Sequence, residues 1–63
     1  MNERTCAIVA SLFDSYMSDT SRMPEWFSRQ AEGDIVNRAR VVADYIAGMT
    51  DRFALAEHER LAA

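Results

Sequence analysis

The feature that most constrains the fold of this chain is the spacing of its apolar residues, which is typical of α-helices. The stretch after Asp34 shows this spacing most clearly. After Asp34 the apolar side chains recur at intervals of four, three, four and three residues, at Ile35, Ala39, Val42, Ile46 and Met49. This spacing places them along one face of an α-helix, with Asp34 as its N-cap. A helix with one apolar face must bury that face against other elements, so the stretch predicts a helix that packs within a bundle.

A second apolar stripe lies near the start of the chain. Ile8, Leu12 and Tyr16 recur every four residues and predict a helix from about Glu3 to Met17. The polar residues 18–21 follow it, and such side chains compete for backbone hydrogen bonds and favour turns. We therefore expect the helix to end where this polar run begins.

A short helix is predicted between these two stripes. Pro24 suits its first position, where a missing N–H costs nothing, and Gly33 suits the residue after its end, near Glu32. Trp26 and Phe27 supply its apolar surface. We expect both rings to lie in the core.

The last helix is predicted to begin near Thr50 and to run to the end of the chain. Gly48 lowers the cost of ending the preceding helix, Thr50 can cap the next one, and Asp51 places an acid in its first turn. One continuous helix through Gly48 is the alternative, at a cost of about 1 kcal/mol relative to alanine, and we favour the break. Four residues of this helix should share one face: Phe53, Ala54, Glu57 and Leu61.

Together these segments predict an all-α fold, a small bundle of three to four short helices formed by residues 1–63 as a single helical segment. A chain of this length buries only about 60% of the surface that its unfolded form exposes, so it needs further stabilisation. One cysteine excludes an intramolecular disulfide, and the lone histidine and cysteine lack the spacing of a metal site. The remaining sources of stabilisation are regular packing of the helices and association with a larger partner.

The net charge of the chain limits the kinds of molecule that it can bind. The net charge is −3 and the chain has no lysine, which argues against nonspecific binding to nucleic acid or to an anionic membrane. No apolar run reaches the roughly 20 residues of a membrane helix, and residues 1–5 lack the pattern of a signal peptide. We therefore expect a cytoplasmic protein with neither membrane nor nucleic-acid partners, which the free cysteine also favours.

No residue qualifies as a catalytic group or a metal ligand. His58 has no second ligand or nucleophile nearby in sequence and is interpreted as a surface histidine. Cys6 has no partner base and is interpreted as small buried filler or a bystander. The corner Gly48–Arg52 could belong to a DNA-binding helix-turn-helix, but the helix after it carries too many acids to enter a groove lined by phosphates. We expect no catalytic residue, no metal site and no cofactor in this chain.

The sequence around this corner resembles a known enzyme family. Residues Arg38 to Leu61 are similar to the last helices of the deoxyguanosine triphosphate triphosphohydrolases, including their dGTPase-like members. Residues 8–16 and 22–26 are similar to the family's preceding helix and its Met-Pro turn, so the resemblance covers nearly the whole chain but only the tail of a much longer protein. Its most specific part is a signature formed by Asp44, Tyr45, Gly48, Met49, Thr50, Asp51 and Arg52.

The resemblance implies a helical HD-domain metalloenzyme as the parent protein. Such enzymes cleave a deoxynucleoside triphosphate to deoxynucleoside and tripolyphosphate, with water activated by a divalent metal that histidines and aspartates hold. Those ligands lie upstream of the matching region, and this chain has no His-Asp dipeptide and one histidine. The resemblance therefore implies a noncatalytic C-terminal domain, with the divalent metal belonging to the parent family only.

Two roles follow for such a segment. In the first, its partner is the rest of the parent enzyme or a neighbouring subunit, and it packs on the HD core. In the second, it is a free-standing helical module that self-associates as a homo-oligomer or binds another protein. The first role is the leading hypothesis, because the chain carries the family signature without the metal ligands. The second is the alternative, and its motivation is that 49% of the residues are hydrophobic in a chain too short to bury them all.

Overall fold

Four helices joined by short connections make up the structure. The computed structural model describes residues 3–62 and contains α1 (Glu3–Ser18), α2 (Glu25–Gln30), α3 (Ile35–Ala47) and α4 (Asp51–Ala62). An unpredicted 3₁₀ turn, Thr20–Arg22, lies between α1 and α2, and these residues contain no strand. None of the described helices is both long enough and apolar enough to cross a membrane. The all-α prediction is confirmed, and so is the break between α3 and α4.

Side-chain caps mark where α3 and α4 begin. The Asp34 carboxylate accepts a hydrogen bond from the Asn37 backbone N–H at 2.8 Å, and the Thr50 hydroxyl accepts one from the Phe53 N–H at 3.1 Å. Each contact satisfies a backbone donor that the first turn of a helix cannot pair. Both caps predicted from the sequence are therefore confirmed.

The short helix α2 differs from its prediction at both ends. Pro24 does not occupy the first turn, because its ψ of 150° is extended and the helix begins at Glu25. At the other end α2 stops at Gln30 rather than near Glu32. Ala31 follows with a ψ of −2°, which no longer continues the helix, and its side chain is buried.

The two glycines lie in connections between helices and differ in backbone conformation. Gly33, between α2 and α3, has a φ of +112°, a conformation that L side chains rarely adopt. Gly48, after α3, has a φ of −84° and a ψ of −4°. A Cβ atom placed on Gly48 would lie 3.7 Å from the Tyr45 carbonyl oxygen, an ordinary contact. The break after α3 therefore does not depend on the conformational freedom of glycine.

Because the two glycines differ in conformation, replacing each with alanine should change the free energy of unfolding by different amounts. Gly33→Ala should lower the free energy of unfolding by about 1–2 kcal/mol, because alanine is strained at positive φ. Gly48→Ala should leave stability unchanged or raise it by up to about 1 kcal/mol, because alanine fits the native backbone and restricts the unfolded chain. Urea denaturation followed by circular dichroism measures both, and equal losses in the two variants would contradict this assignment.

The core is small and centres on α1. Its buried side chains are Leu12, Tyr16, Met23, Ala31 and Val42. α1 packs against both α3 and α4, and α2 packs against α3. The stripe predicted on α1 is confirmed, since Leu12 and Tyr16 are buried and Ile8 packs against the buried cluster.

Two apolar residues predicted to lie inward are exposed instead. Trp26 is 65% exposed, because α2 is only six residues long and the neighbouring Phe27 is the ring that packs on the core. Ile35 is 68% exposed. The end of α1 meets α3 at Arg38, whose Nη1 donates to the Met17 carbonyl oxygen at 3.2 Å, and the first turn of α3 lies beyond this contact.

Candidate functional site

Most of the signature residues surround one hollow at the corner where α3 ends and α4 begins. Asp44 and Tyr45 lie in the last turn of α3, Gly48 follows it, and Asp51 begins α4. Five of the seven border a hollow of about 320 Å³, which we call the corner hollow. Its lining residues are Phe27, Asp44, Tyr45, Gly48, Met49, Thr50 and Phe53.

Aromatic rings form much of the wall of the corner hollow. The ring centroids of Phe27 and Tyr45 lie 4.5 Å apart, and Trp26 packs edge-on against Phe27 at 4.8 Å. Phe53, at the start of α4, is 46% exposed and lines the hollow. The corner hollow is thus an aromatic surface that reaches solvent.

Asp44 supplies the charge of the corner hollow. Its side chain is exposed on α3, and the other lining residues are apolar or neutral. The Thr50 hydroxyl already accepts the Phe53 N–H. The hollow therefore combines aromatic rings with one exposed carboxylate.

Asp51 and Arg52 lie outside the corner hollow. Asp51 borders a second depression of about 510 Å³, the helix groove, between α1, the end of α3 and the start of α4. Arg4 and Thr5 border it too, and its apolar walls are Ile8, Val9, Phe13, Ala43, Ile46, Ala47, Met49, Ala54 and Leu55. Arg52 is exposed and lines neither depression. These two residues thus lie outside the hollow that the other five border, although Met49 borders both depressions.

A polar network that the sequence did not predict joins α1 to α4. The Tyr16 hydroxyl donates to Glu57 Oε2 at 3.1 Å, and Arg60 Nη2 donates to the same oxygen at 2.7 Å. Arg60 Nη2 also donates to the Arg22 carbonyl oxygen at 3.3 Å, which connects the 3₁₀ turn. Tyr16 and Glu57 are 41 residues apart, so short-range spacing cannot pair them. The one available signal was that Glu57 shares a predicted helix face with the apolar residues Phe53, Ala54 and Leu61.

This network changes the ionisation of its members. The hydrogen bond from Arg60 holds the pKa of the Glu57 carboxyl below its usual value. Burial, and then the hydrogen bond to Glu57, raise the pKa of the Tyr16 hydroxyl, and burial also raises the pKa of Tyr45. Tyr45 packs edge-on against Tyr16, with ring centroids 5.4 Å apart. At neutral pH the network holds an ionised carboxylate, a guanidinium and neutral phenols, which suits joining helices rather than moving protons.

Acid should weaken this network. The stabilisation from Glu57 is fully present above the pKa of an unfolded glutamate, near 4.5, and is lost as the pH falls through the lower folded pKa. The stability difference between the wild type and Glu57→Gln should therefore shrink between about pH 7 and about pH 3. Denaturant unfolding at both pH values measures it, with Glu59→Gln on the same helix as the matched control. A difference that stays constant would contradict the role of Glu57.

Cys6 and His58, which were not predicted to form a site, do not line the corner hollow or the helix groove. Cys6 is exposed on α1, so of its two interpretations the buried filler is wrong. His58 is half-buried on α4. Within residues 3–62, no group of three or more histidine, cysteine, aspartate or glutamate side chains is placed to hold a metal ion.

Comparisons with known proteins agree with the resemblance. Residues 1–60 match the family described as phosphohydrolase-associated domain. A deoxyguanosinetriphosphate triphosphohydrolase-like protein of Caulobacter sp. strain K31 is 51% identical over 55 residues, which are 86% of this chain and 14% of that protein. A protein of the same description from Ruegeria sp. strain TM1040 is 51% identical over 65 residues, 98% of this chain and 17% of its own length. One from Paracoccus denitrificans strain Pd 1222 is 50% identical over 60 residues, 92% of this chain and 16% of its own length.

These matches identify the family to which the chain belongs. No solved structure matches the chain. The chain spans 14–17% of the length of these three relatives, so it corresponds to a small part of them. The sequence resemblance to the triphosphohydrolase family is confirmed. Because the family match covers residues 1–60, the chain belongs to the phosphohydrolase-associated domain family and is homologous to a segment of the deoxyguanosinetriphosphate triphosphohydrolase-like proteins.

Proposed function

We propose that this chain is a noncatalytic C-terminal helical domain of a dGTP or dNTP triphosphohydrolase-like parent, packing on the catalytic HD core or on a neighbouring subunit. The observation that carries the proposal is apolar surface that the small core leaves uncovered. Trp26, Ile35, Val36 and Phe53 are 65%, 68%, 73% and 46% exposed. Several large apolar side chains exposed on so small a domain are typical of a surface that a partner covers.

The reaction itself is assigned to the rest of the parent. The relatives are described as triphosphohydrolase-like, and this chain corresponds to 14–17% of their length. The HD-domain site implied by the resemblance uses several histidines and aspartates, whereas this chain has one histidine and no His-Asp dipeptide. The divalent metal and the nucleotide therefore bind to residues of the parent outside this segment, and the segment acts with it in the cytoplasm.

Reconstitution with a relative tests this proposal. The triphosphohydrolase-like protein of Caulobacter sp. strain K31 is prepared without the segment that matches this chain, and the 63-residue chain is added back. We expect a one-to-one complex by isothermal titration calorimetry, and no release of tripolyphosphate from dGTP and divalent metal by the chain alone. Turnover by the chain alone would contradict the noncatalytic assignment, and lack of association would contradict the packing role.

A free-standing module that self-associates is the second candidate, and the same exposed side chains favour it. Sedimentation of the chain alone at micromolar concentration distinguishes the two. A stable homodimer that does not bind the truncated relative supports the module. A monomer that binds the truncated relative supports the domain of a larger enzyme.

A further inference from the structure

Two residues that line the corner hollow, Asp44 and Gly48, are not held there by the caps of the helices. Thr50 caps α4, but Gly48 has an ordinary backbone conformation that alanine could adopt. Asp44 is exposed, and its carboxylate forms no ion pair or hydrogen bond with other residues in the described part of the chain. Both residues line the corner hollow, so the Asp44 carboxylate is available to an occupant of the hollow.

We propose that the corner hollow receives a cationic side chain, an arginine, from the polypeptide against which this domain packs; the inference rests on the proposed function. The faces of aromatic rings attract cations, and Phe27, Tyr45 and Phe53 all line the hollow. A guanidinium is more weakly hydrated than an ammonium and stacks on such rings, which favours arginine over lysine.

The charge of the hollow fits this occupant. Asp44 is its one acidic lining residue, and no arginine lines it to compete for that carboxylate. A carboxylate beside ring faces offers an arginine a charge-assisted hydrogen bond and a stacking surface at once. The helix groove differs, because both Arg4 and Asp51 border it and it does not select the charge of an occupant.

The hollow is large enough to admit a single side chain. Its volume of about 320 Å³ lies at the lower end of the range for ligand pockets. Gly48 lines it without a side chain, which keeps that part of the wall open.

The first test needs only the free chain. The isotope-labelled chain is titrated with N-acetyl-arginine amide and, in parallel, with N-acetyl-citrulline amide, which has nearly the same shape and no charge. Saturable shifts of the backbone resonances of Asp44, Tyr45, Gly48 and Thr50 are expected with the arginine amide and not with the citrulline amide. Equal shifts with both amides, or shifts confined to other parts of the chain, overturn the inference.

A matched pair of variants sharpens this titration. Asp44→Asn should weaken binding of the arginine amide about two- to fivefold, the range for an exposed ion pair. Asp14→Asn removes the same charge from an exposed position on α1 that does not line the hollow, and should leave binding unchanged. Equal effects of the two variants count against the inference.

The second test separates this inference from the proposed function. Asp44→Asn should bind the truncated Caulobacter relative more weakly than Asp14→Asn, and added salt should reduce the difference. If the relative binds the wild type and Asp44→Asn equally well, the inference fails and the proposed function stands. If it does not bind the wild type at all, the proposed function fails, and with it the assignment of the occupant to the parent, whatever the arginine titration shows.

Discussion

Val42→Ala is expected to lower the free energy of unfolding by about 2–3 kcal/mol, whereas Val36→Ala on the same helix should change it by less than about 0.5 kcal/mol. Val42 is fully buried in the core cluster, and Val36 is 73% exposed. The buried site loses the transfer free energy of two methyl groups and retains part of the cavity that they leave. The exposed site loses little, because its methyl groups already contact water.

This loss is large for a chain of this size. A 63-residue domain has a total stability of about 3–9 kcal/mol, so Val42→Ala removes a substantial share of it. Urea denaturation at a fixed temperature gives both values, and the denaturant dependence checks that unfolding remains two-state. Similar losses in the two valine variants would show that α3 does not pack through the face that contains Val42.

The sequence predicted burial well in the middle of the longer helices. Leu12 and Tyr16 on α1 and Val42 on α3 recur at helical spacing and are buried as expected. Periodicity identifies the face of a helix, but neighbouring elements decide how far along the helix that face is covered. Ile35 and Trp26 were therefore misplaced, one in the first turn of α3 and the other on a six-residue helix.

The candidate site was less accessible to sequence reasoning. The signature marked the corner between α3 and α4, and the prediction that Thr50 caps α4 is confirmed. The walls of the corner hollow also include Phe27, which α2 supplies from a distant part of the chain. The contact between Tyr16 and Glu57 spans 41 residues. Such juxtapositions depend on how helices pack together, which the spacing within one helix does not encode.

Trp26→Ala is expected to weaken association with the truncated Caulobacter relative by about 30-fold or more, the loss typical of a tryptophan at the centre of an interface. Trp26 is 65% exposed and packs edge-on against Phe27, so it extends the aromatic surface of the corner hollow. A tryptophan in this position offers a partner a large apolar area that already has a fixed neighbour. The free variant should stay folded, losing about 0.5–1.5 kcal/mol with the ring contact.

Gln30→Ala is the matched control, because Gln30 is an exposed polar side chain one turn further along α2. It should change the affinity by less than about threefold, since polar side chains at a rim contribute little to binding. Titration calorimetry gives both affinities, and circular dichroism shows that each variant is helical before it is mixed. If Trp26→Ala is folded and binds as tightly as Gln30→Ala, the surface around Trp26 does not contact the parent. The packing face must then lie elsewhere, and the helix groove between α1, α3 and α4 is the apolar surface that would have to supply it.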